Sequence, residues 1–344
     1  MLNTTVRQLI DSGKYGEFAD YFWTFITEDH LNNPLSAYGY EACGFEMALG
    51  RCEELAKDAS VSSYVFQIYS REDIYKEHDK QETKLIFFPR KEENDITQKT
   101  EKAFALVIPG GGFARQWTLI EGFAISAKLN EMGISAFVLL YRTAQNGVIK
   151  KALSDMYRAV SFIQENANRF DVNKDRYIMG GFSAGATLSG EMASDNLGWK
   201  ACGVAKPELI FLGYPAQKMD MFYNIWKEAP EGSNAKESME DFLNRIVDGN
   251  ITYDAIEPYI LEKHVSKDNC PPLYITANED DPTVPFINSL SLSDAAAALR
   301  IPVKTKFGKT GGHSYGLGLG LEVEGWLEEA VDFWISSTIT YIPE

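Results

Sequence analysis

The stretch Gly181-Phe182-Ser183-Ala184-Gly185 constrains this chain more than any other. An apolar run, Arg176 to Gly180, precedes it, and an Ala-rich apolar stretch, Ala184 to Ala193, follows. That context predicts a strand, a tight turn and a helix. In a Gly-x-Ser-x-Gly turn at such a junction the serine backbone is strained and its hydroxyl projects from the sheet edge. Side chains two residues before and after the serine would collide with the turn, which accounts for glycine at both positions. The helix that follows directs its free N–H groups at the serine, where negative charge is favoured.

A regular alternation surrounds this junction. Ala103 to Ile108 and Ile134 to Tyr141 are continuous apolar runs, as expected of strands buried on both faces. Leu119 to Met132 reads as a helix between them. Lys151 to Phe170 reads as an amphipathic helix with Leu153, Met156, Val160, Ile163 and Ala167 on one stripe. Leu209 to Tyr214, Leu273 to Ala277 and Val303 to Phe307 are further strands, and Glu322 to Ser336 is a closing helix. Strands alternating with helices predict an α/β fold, a mostly parallel sheet covered on both faces. Upstream, Val61 to Tyr69 and Thr83 to Phe88 read as strands joined by the charged stretch Arg71 to Gln81, and Lys91 to Lys102 as a polar loop. Residues 1–60 read as a helical extension, with Phe18, Tyr21, Phe22 and Phe25 on one face and a second helix from about Glu41 to Lys57. Residues 61–344 form the sheet-bearing domain. Between Ala216 and Asn269 the alternation breaks into helical pieces carrying Phe222, Tyr223 and Trp226. This excursion is expected to lie over the C-terminal strand ends, where open α/β sheets bind ligands.

Composition narrows the partners. A formal net charge of −16 disfavours nucleic acid and anionic membrane surfaces. No stretch is long and apolar enough to span a bilayer, and no secretory signal is recognised at the N-terminus. The scattered cysteines Cys43, Cys52, Cys202 and Cys270 read as reduced thiols of a cytoplasmic protein. No Cys/His spacing suggests zinc. Asp171-Val172-Asn173-Lys174-Asp175 begins like a calcium loop but has Arg176 and Phe182 where glycine and glutamate are needed, so no metal is expected. Nothing in the composition excludes a homo-oligomer.

A serine hydroxyl becomes a nucleophile only beside a base, and the base needs an orienting carboxylate. Of four histidines, His30 and His78 precede the sheet region and His264 ends the excursion. His313, in Gly311-Gly312-His313-Ser314, follows the last strand, where a catalytic base belongs. The carboxylate is expected after the preceding strand, where Glu279, Asp280 and Asp281 compete. Asp281 is preferred because the Pro-x-Val-Pro turn behind it fixes its side chain, with Asp280 next and Glu279 third. Pro109-Gly110-Gly111-Gly112-Phe113 follows the strand Ala103 to Ile108, and its glycines allow backbone N–H groups to approach a substrate oxygen. A phosphate-binding reading of that loop fails. The Walker spacing is absent and Arg115 stands where Gly-x-Gly-x-x-Gly requires glycine, so no nucleotide cofactor is expected.

Pro109 to Phe113, Gly181 to Gly185, Asp281 in Asp-Pro-Thr-Val-Pro and Gly-Gly-His313 together resemble the α/β-hydrolase superfamily. Within it the chain resembles the esterase/lipase branch, which includes hormone-sensitive-lipase-like and sugar-acetyl (acetylxylan-type) esterases. The resemblance covers about Ala103 to Ser336. It implies a serine ester hydrolase acting on a small-molecule ester without a cofactor. Ser183 would be the nucleophile, His313 the general base and acid, and Asp281 the orienting carboxylate. Gly111, Gly112 and Ala184 would supply oxyanion N–H groups, with Phe113 and Phe182 beside the substrate. The chain departs from the lipase-like pattern at Pro109, where histidine is common, and at Phe182, where aspartate is common. Both departures fit the sugar-esterase branch better. Ala186 after Gly185 departs from the serine peptidases of this fold.

Overall fold

Period-two alternation along the apolar runs builds the sheet. A computed structural model describes residues 3–22, 31–38, 43–91 and 100–339. Phe25, His30 and the centre of the polar loop, 92–99, lie outside these residues. The strands are β1 (Val65–Phe66), β2 (Lys84–Phe88), β3 (Phe104–Ile108), β4 (Ser135–Leu140), β5 (Tyr177–Phe182), β6 (Leu209–Gly213), β7 (Leu273–Asn278) and β8 (Val303–Gly308). They form one sheet in the order β1-β2-β4-β3-β5-β6-β7-β8. β2 runs antiparallel to β1 and β4, and every pairing from β4 through β8 is parallel.

Successive side chains of a strand point to opposite faces, and both faces here are buried. Phe104, Leu106 and Ile108 join Tyr177, Met179, Ile210 and Leu212 on one side. Ala105 and Val107 join Ile178, Phe182 and Phe211 on the other. Among the described residues, the α-helices of six residues or more are α1 (Val6–Asp11), α2 (Phe45–Ala56), α3 (Arg71–Lys76), α4 (Ala124–Glu131), α5 (Val148–Glu165), α6 (Ala184–Glu191), α7 (Met219–Glu228), α8 (Asn234–Ile246), α9 (Ile287–Ala298) and α10 (Trp326–Ile339). α5, α6 and α9 pack on the first face, and α1, α2, α4 and α10 on the second. None of these helices is long and apolar enough to cross a membrane.

Four sequence expectations change in detail. The strand expected over Val61 to Tyr69 shrinks to the Val65–Phe66 pairing with β2. The charged connection after it contains α3, because Ser70 and Asp73 form a reciprocal capping box. The helix expected from Leu119 opens as a π-type turn, Thr118–Phe123, before α4. The long helix after Lys151 starts at Val148 and breaks at Asn166, whose side chain donates to the Phe162 carbonyl at 2.8 Å. The N-terminal segment packs on the sheet's face. Phe18 meets Phe88 and Phe123 at ring-centroid distances of 5.5 and 6.0 Å, in the same core as Trp326. Asp171, first residue of the calcium-like stretch, is ion-paired to Lys102 at 2.6 Å and to Arg90.

Candidate active site

Ser183 sits between the end of β5 and the start of α6 with φ 51° and ψ −120°, a conformation that side-chain-bearing residues rarely adopt. Its N–H donates to the Gly213 carbonyl at 2.9 Å, which ties the strained residue to β6. A methyl group at Gly181 would overlap the Gly185 carbonyl, and one at Gly185 would overlap the carbonyls of Ile108 and Pro109. The glycines therefore permit both the turn and the seating of α6 against the end of β3.

The structure brings Ser183, His313 and Asp281 together. Ser183 Oγ lies 3.0 Å from His313 Nε2, and His313 Nδ1 lies 2.6 Å from Asp281 Oδ2. With its proton on Nδ1, the ring donates to Asp281 and accepts from the serine hydroxyl. Asp281 is itself fixed, because its Oδ1 accepts from the N–H groups of Thr283 at 2.8 Å and Val284 at 2.9 Å. Asp280 does different work. It accepts from the N–H groups of Gly311 (3.2 Å) and Gly312 (2.8 Å) and so holds the histidine loop. Glu279 is exposed. The N-terminal segment reaches the same loop, where the Cys43 thiol donates to the Ser314 carbonyl at 3.4 Å.

Glu121 and Tyr214, which sequence reasoning missed, hold the glycine loop and the histidine loop together. Glu121 is fully buried on the π-type turn. Its Oε2 accepts from the Gly110 N–H at 2.7 Å, and its Oε1 accepts from the Tyr214 hydroxyl at 2.9 Å. The Tyr214 ring packs against the His313 ring at 4.6 Å. Burial pushes the Glu121 carboxyl above the ordinary carboxylate range, opposed by the charge of His313 and by donors from Gly110, Tyr214 and Ser314. The available signal was an acid inside the apolar run Leu119 to Phe123. Positive φ angles at Phe113, Ser183, Tyr214 and Ser314 gather backbone strain at this one place.

A cavity of about 410 Å³ opens in front of Ser183. Gly111, Gly112 and Ala184 line it beside His313 and Ser314, and α7 and α8 of the excursion contribute Phe222, Met239, Phe242 and Arg245. Phe182 is a correction. The pleat turns it, with Ile178, to the face opposite Met179, where its ring packs on Tyr214 and Trp326 at 5.7 and 5.8 Å. Phe113 is a second correction. It is fully buried behind the cavity wall, with its ring 6.3 Å from Phe242. Of the excursion's aromatics, Phe222 lines the cavity, whereas Tyr223 packs against Trp226 and Tyr253.

A family model of the alpha/beta hydrolase fold matches residues 106–315, more than half of the chain. The chain belongs to the α/β-hydrolase fold family. Over 206 residues this α/β hydrolase is 30% identical to endo-1,4-beta-xylanase B of Butyrivibrio fibrisolvens, covering 57% of this chain and 30% of that protein. Over 231 residues it is 25% identical to an acetylxylan esterase of Xylanibacter ruminicola, covering 67% of this chain and 44% of that protein. The chain thus spans less than half the length of either curated relative. Among solved structures it resembles an acetyl ester-xyloside bifunctional hydrolase from Caldicellulosiruptor lactoaceticus. The TM-score is 0.56 at 22% identity, over 76% of this chain and 89% of that one, a likeness of fold.

Proposed function

We propose that this α/β hydrolase is a serine carboxylic ester hydrolase that acts through an acyl-enzyme on small acyl esters of sugars, acetyl esters above all. The observation that carries the reading is the hydrogen-bonded series Ser183–His313–Asp281 on a strained strand-to-helix turn facing the cavity. Ser183 Oγ attacks the ester carbonyl while His313 Nε2 takes its proton, and Asp281 stabilises the imidazolium that forms. The carbonyl oxygen becomes an oxyanion, met by N–H groups of Gly111, Gly112 and Ala184. Each such donor contributes about 3 kcal/mol to the transition state. Collapse breaks the bond to the leaving oxygen, which receives the proton from His313 and departs as an alcohol. Water then loses a proton to His313, attacks the acyl-serine and releases the acid, returning the proton to Ser183.

The acyl and sugar preferences draw support from the printed activity of the Xylanibacter ruminicola relative. The cavity is also of a size suited to a small ligand. The reading includes a cytoplasmic setting, supported by four cysteines of which none forms a disulfide. Turnover of p-nitrophenyl acetate by wild type and by Ser183→Ala tests the chemistry. Wild type is expected to turn over and the variant to fall to background. Equal rates would overturn the role of Ser183. Acetate release from acetylated xylo-oligosaccharides, set against longer acyl esters, tests the substrate.

A further inference from the structure

The charges of the cavity run against those of the molecule. The chain carries 49 acidic and 33 basic residues, so an average concave surface would be acidic. Among the described residues, two arginines, Arg115 and Arg245, line the cavity before Ser183, and no acidic residue does. Arginines sheltered elsewhere are neutralised by acids: Arg142 by Asp155 and Asp79, Arg176 by Glu208, Arg51 by Glu54, and Arg90 by Asp171. Arg245 differs. It is half-buried, and among the described residues no carboxylate oxygen lies within 4.0 Å of its guanidinium. Its contact is one long approach, 3.5 Å, to the Gly112 carbonyl of the glycine loop.

Arg115 belongs to the same wall. Its main chain closes the turn against Gly111, and its guanidinium lies 5.9 Å from the Trp117 ring centre. Burial, and then the charge of Arg245, lower its affinity for a proton, so the two cations feel each other. Two like charges held near one another at the cavity repel, with Arg115 the more exposed of the two, and an anion between them reverses the sign of that interaction. A guanidinium fork matches a carboxylate in shape and charge.

Resting on the esterase reading above, we infer that Arg115 and Arg245 bind a carboxylate carried by the ester substrate. The substrate class is then an acidic ester, its carboxylate on the alcohol side, as in an acetylated uronic acid, or on the acyl side, as in a dicarboxylic half-ester. Phe222, Phe242 and Trp117 supply the apolar surface beside it.

Matched substrates test this. The acyl-side pair is mono-p-nitrophenyl adipate against p-nitrophenyl hexanoate. The alcohol-side pair is the acetylated methyl glycoside of glucuronic acid against that of glucose. The readout is the ratio of kcat/KM, anionic over neutral, so any loss common to both substrates cancels. Wild type is expected to favour the anionic member of one pair by about tenfold or more, as charge-assisted hydrogen bonds allow. The pair that shows it identifies the side. The ratio should shrink on raising ionic strength and fall in Arg245→Gln and Arg115→Gln, and it should invert in Arg245→Glu. A wild-type ratio near one in both pairs overturns the inference, as does a preference that survives both glutamine variants. Failure of the esterase reading is separable, because Ser183→Ala would then match wild type on the neutral esters.

Discussion

At the residue scale, the division of labour between two adjacent aspartates is sharp enough to measure. Asp281→Asn removes the acceptor for His313 Nδ1–H and stabilises the wrong tautomer. Its kcat on p-nitrophenyl acetate should fall by about 10³–10⁴-fold. Asp280→Asn weakens the hold on Gly311 and Gly312 but leaves the Ser183–His313–Asp281 series intact, and its kcat should fall by less than about tenfold. Glu121→Gln cannot accept from both Gly110 and Tyr214. Its amide would turn one donor away and disturb the loop bearing Gly111 and Gly112, lowering kcat by about 10–100-fold with little change in KM. Steady-state kinetics on the three variants separates these outcomes. Ser183, His313 and Asp281 were legible in the sequence because each follows its own strand in a fixed order. Glu121, Tyr214 and Arg245 were not, because their positions depend on how a π-type turn, the end of β6 and α8 converge in space. Phe182 was misread although its signal was present, since strand parity alone directs it away from the serine's surroundings.

At the element scale, the turn around Ser183 is a packing device as much as a chemical one. Gly185→Ala would force α6 from the carbonyls of Ile108 and Pro109. A thermal melt should show a loss of roughly 3 kcal/mol, with activity falling in parallel. The succession of strands along the chain was readable because continuous apolar runs alternate with helical stripes. The helix break at Asn166 was harder to read. A side-chain-to-carbonyl bond from Asn166 accompanies it, and periodicity does not register such bonds. The excursion was recognisable as an interruption expected over the C-terminal strand ends, but the side chains it lends to the cavity were not. Its role in the cavity follows from Phe222 on α7 meeting Phe242 on α8 at 5.3 Å, a contact set by tertiary packing.

At the scale of the whole molecule, stability should depend on pH through Glu191. This carboxyl is fully buried, and neither of its oxygens finds a hydrogen-bond partner among the described residues, since the Ser194 hydroxyl donates to the Glu191 main-chain carbonyl. Burial pushes it up to about 8, well above its ordinary value. The folded state therefore binds a proton that the unfolded state gives up. The associated stability is complete below about 4.5 and is lost as pH rises to about 8. Glu191→Gln should remove that slope. The variant's Tm should exceed that of wild type at pH 8.5 by several degrees, with the advantage vanishing near pH 4.5. Removing residues 1–60 should be far more damaging than trimming an appendage, because Phe18 and α2 cover the sheet face that bears Phe88. Such a truncation is expected to be insoluble or to melt without cooperativity, as soluble yield and calorimetry would reveal. The bond from Cys43 to Ser314 spans 271 positions. A ribosome adding about 5–20 residues per second needs roughly 15–55 s to traverse that interval. Throughout it the segment around Cys43 must wait for the loop it braces. His313 lies in that same loop, so the Ser183–His313–Asp281 series assembles only after the loop has emerged and met the segment that Cys43 belongs to.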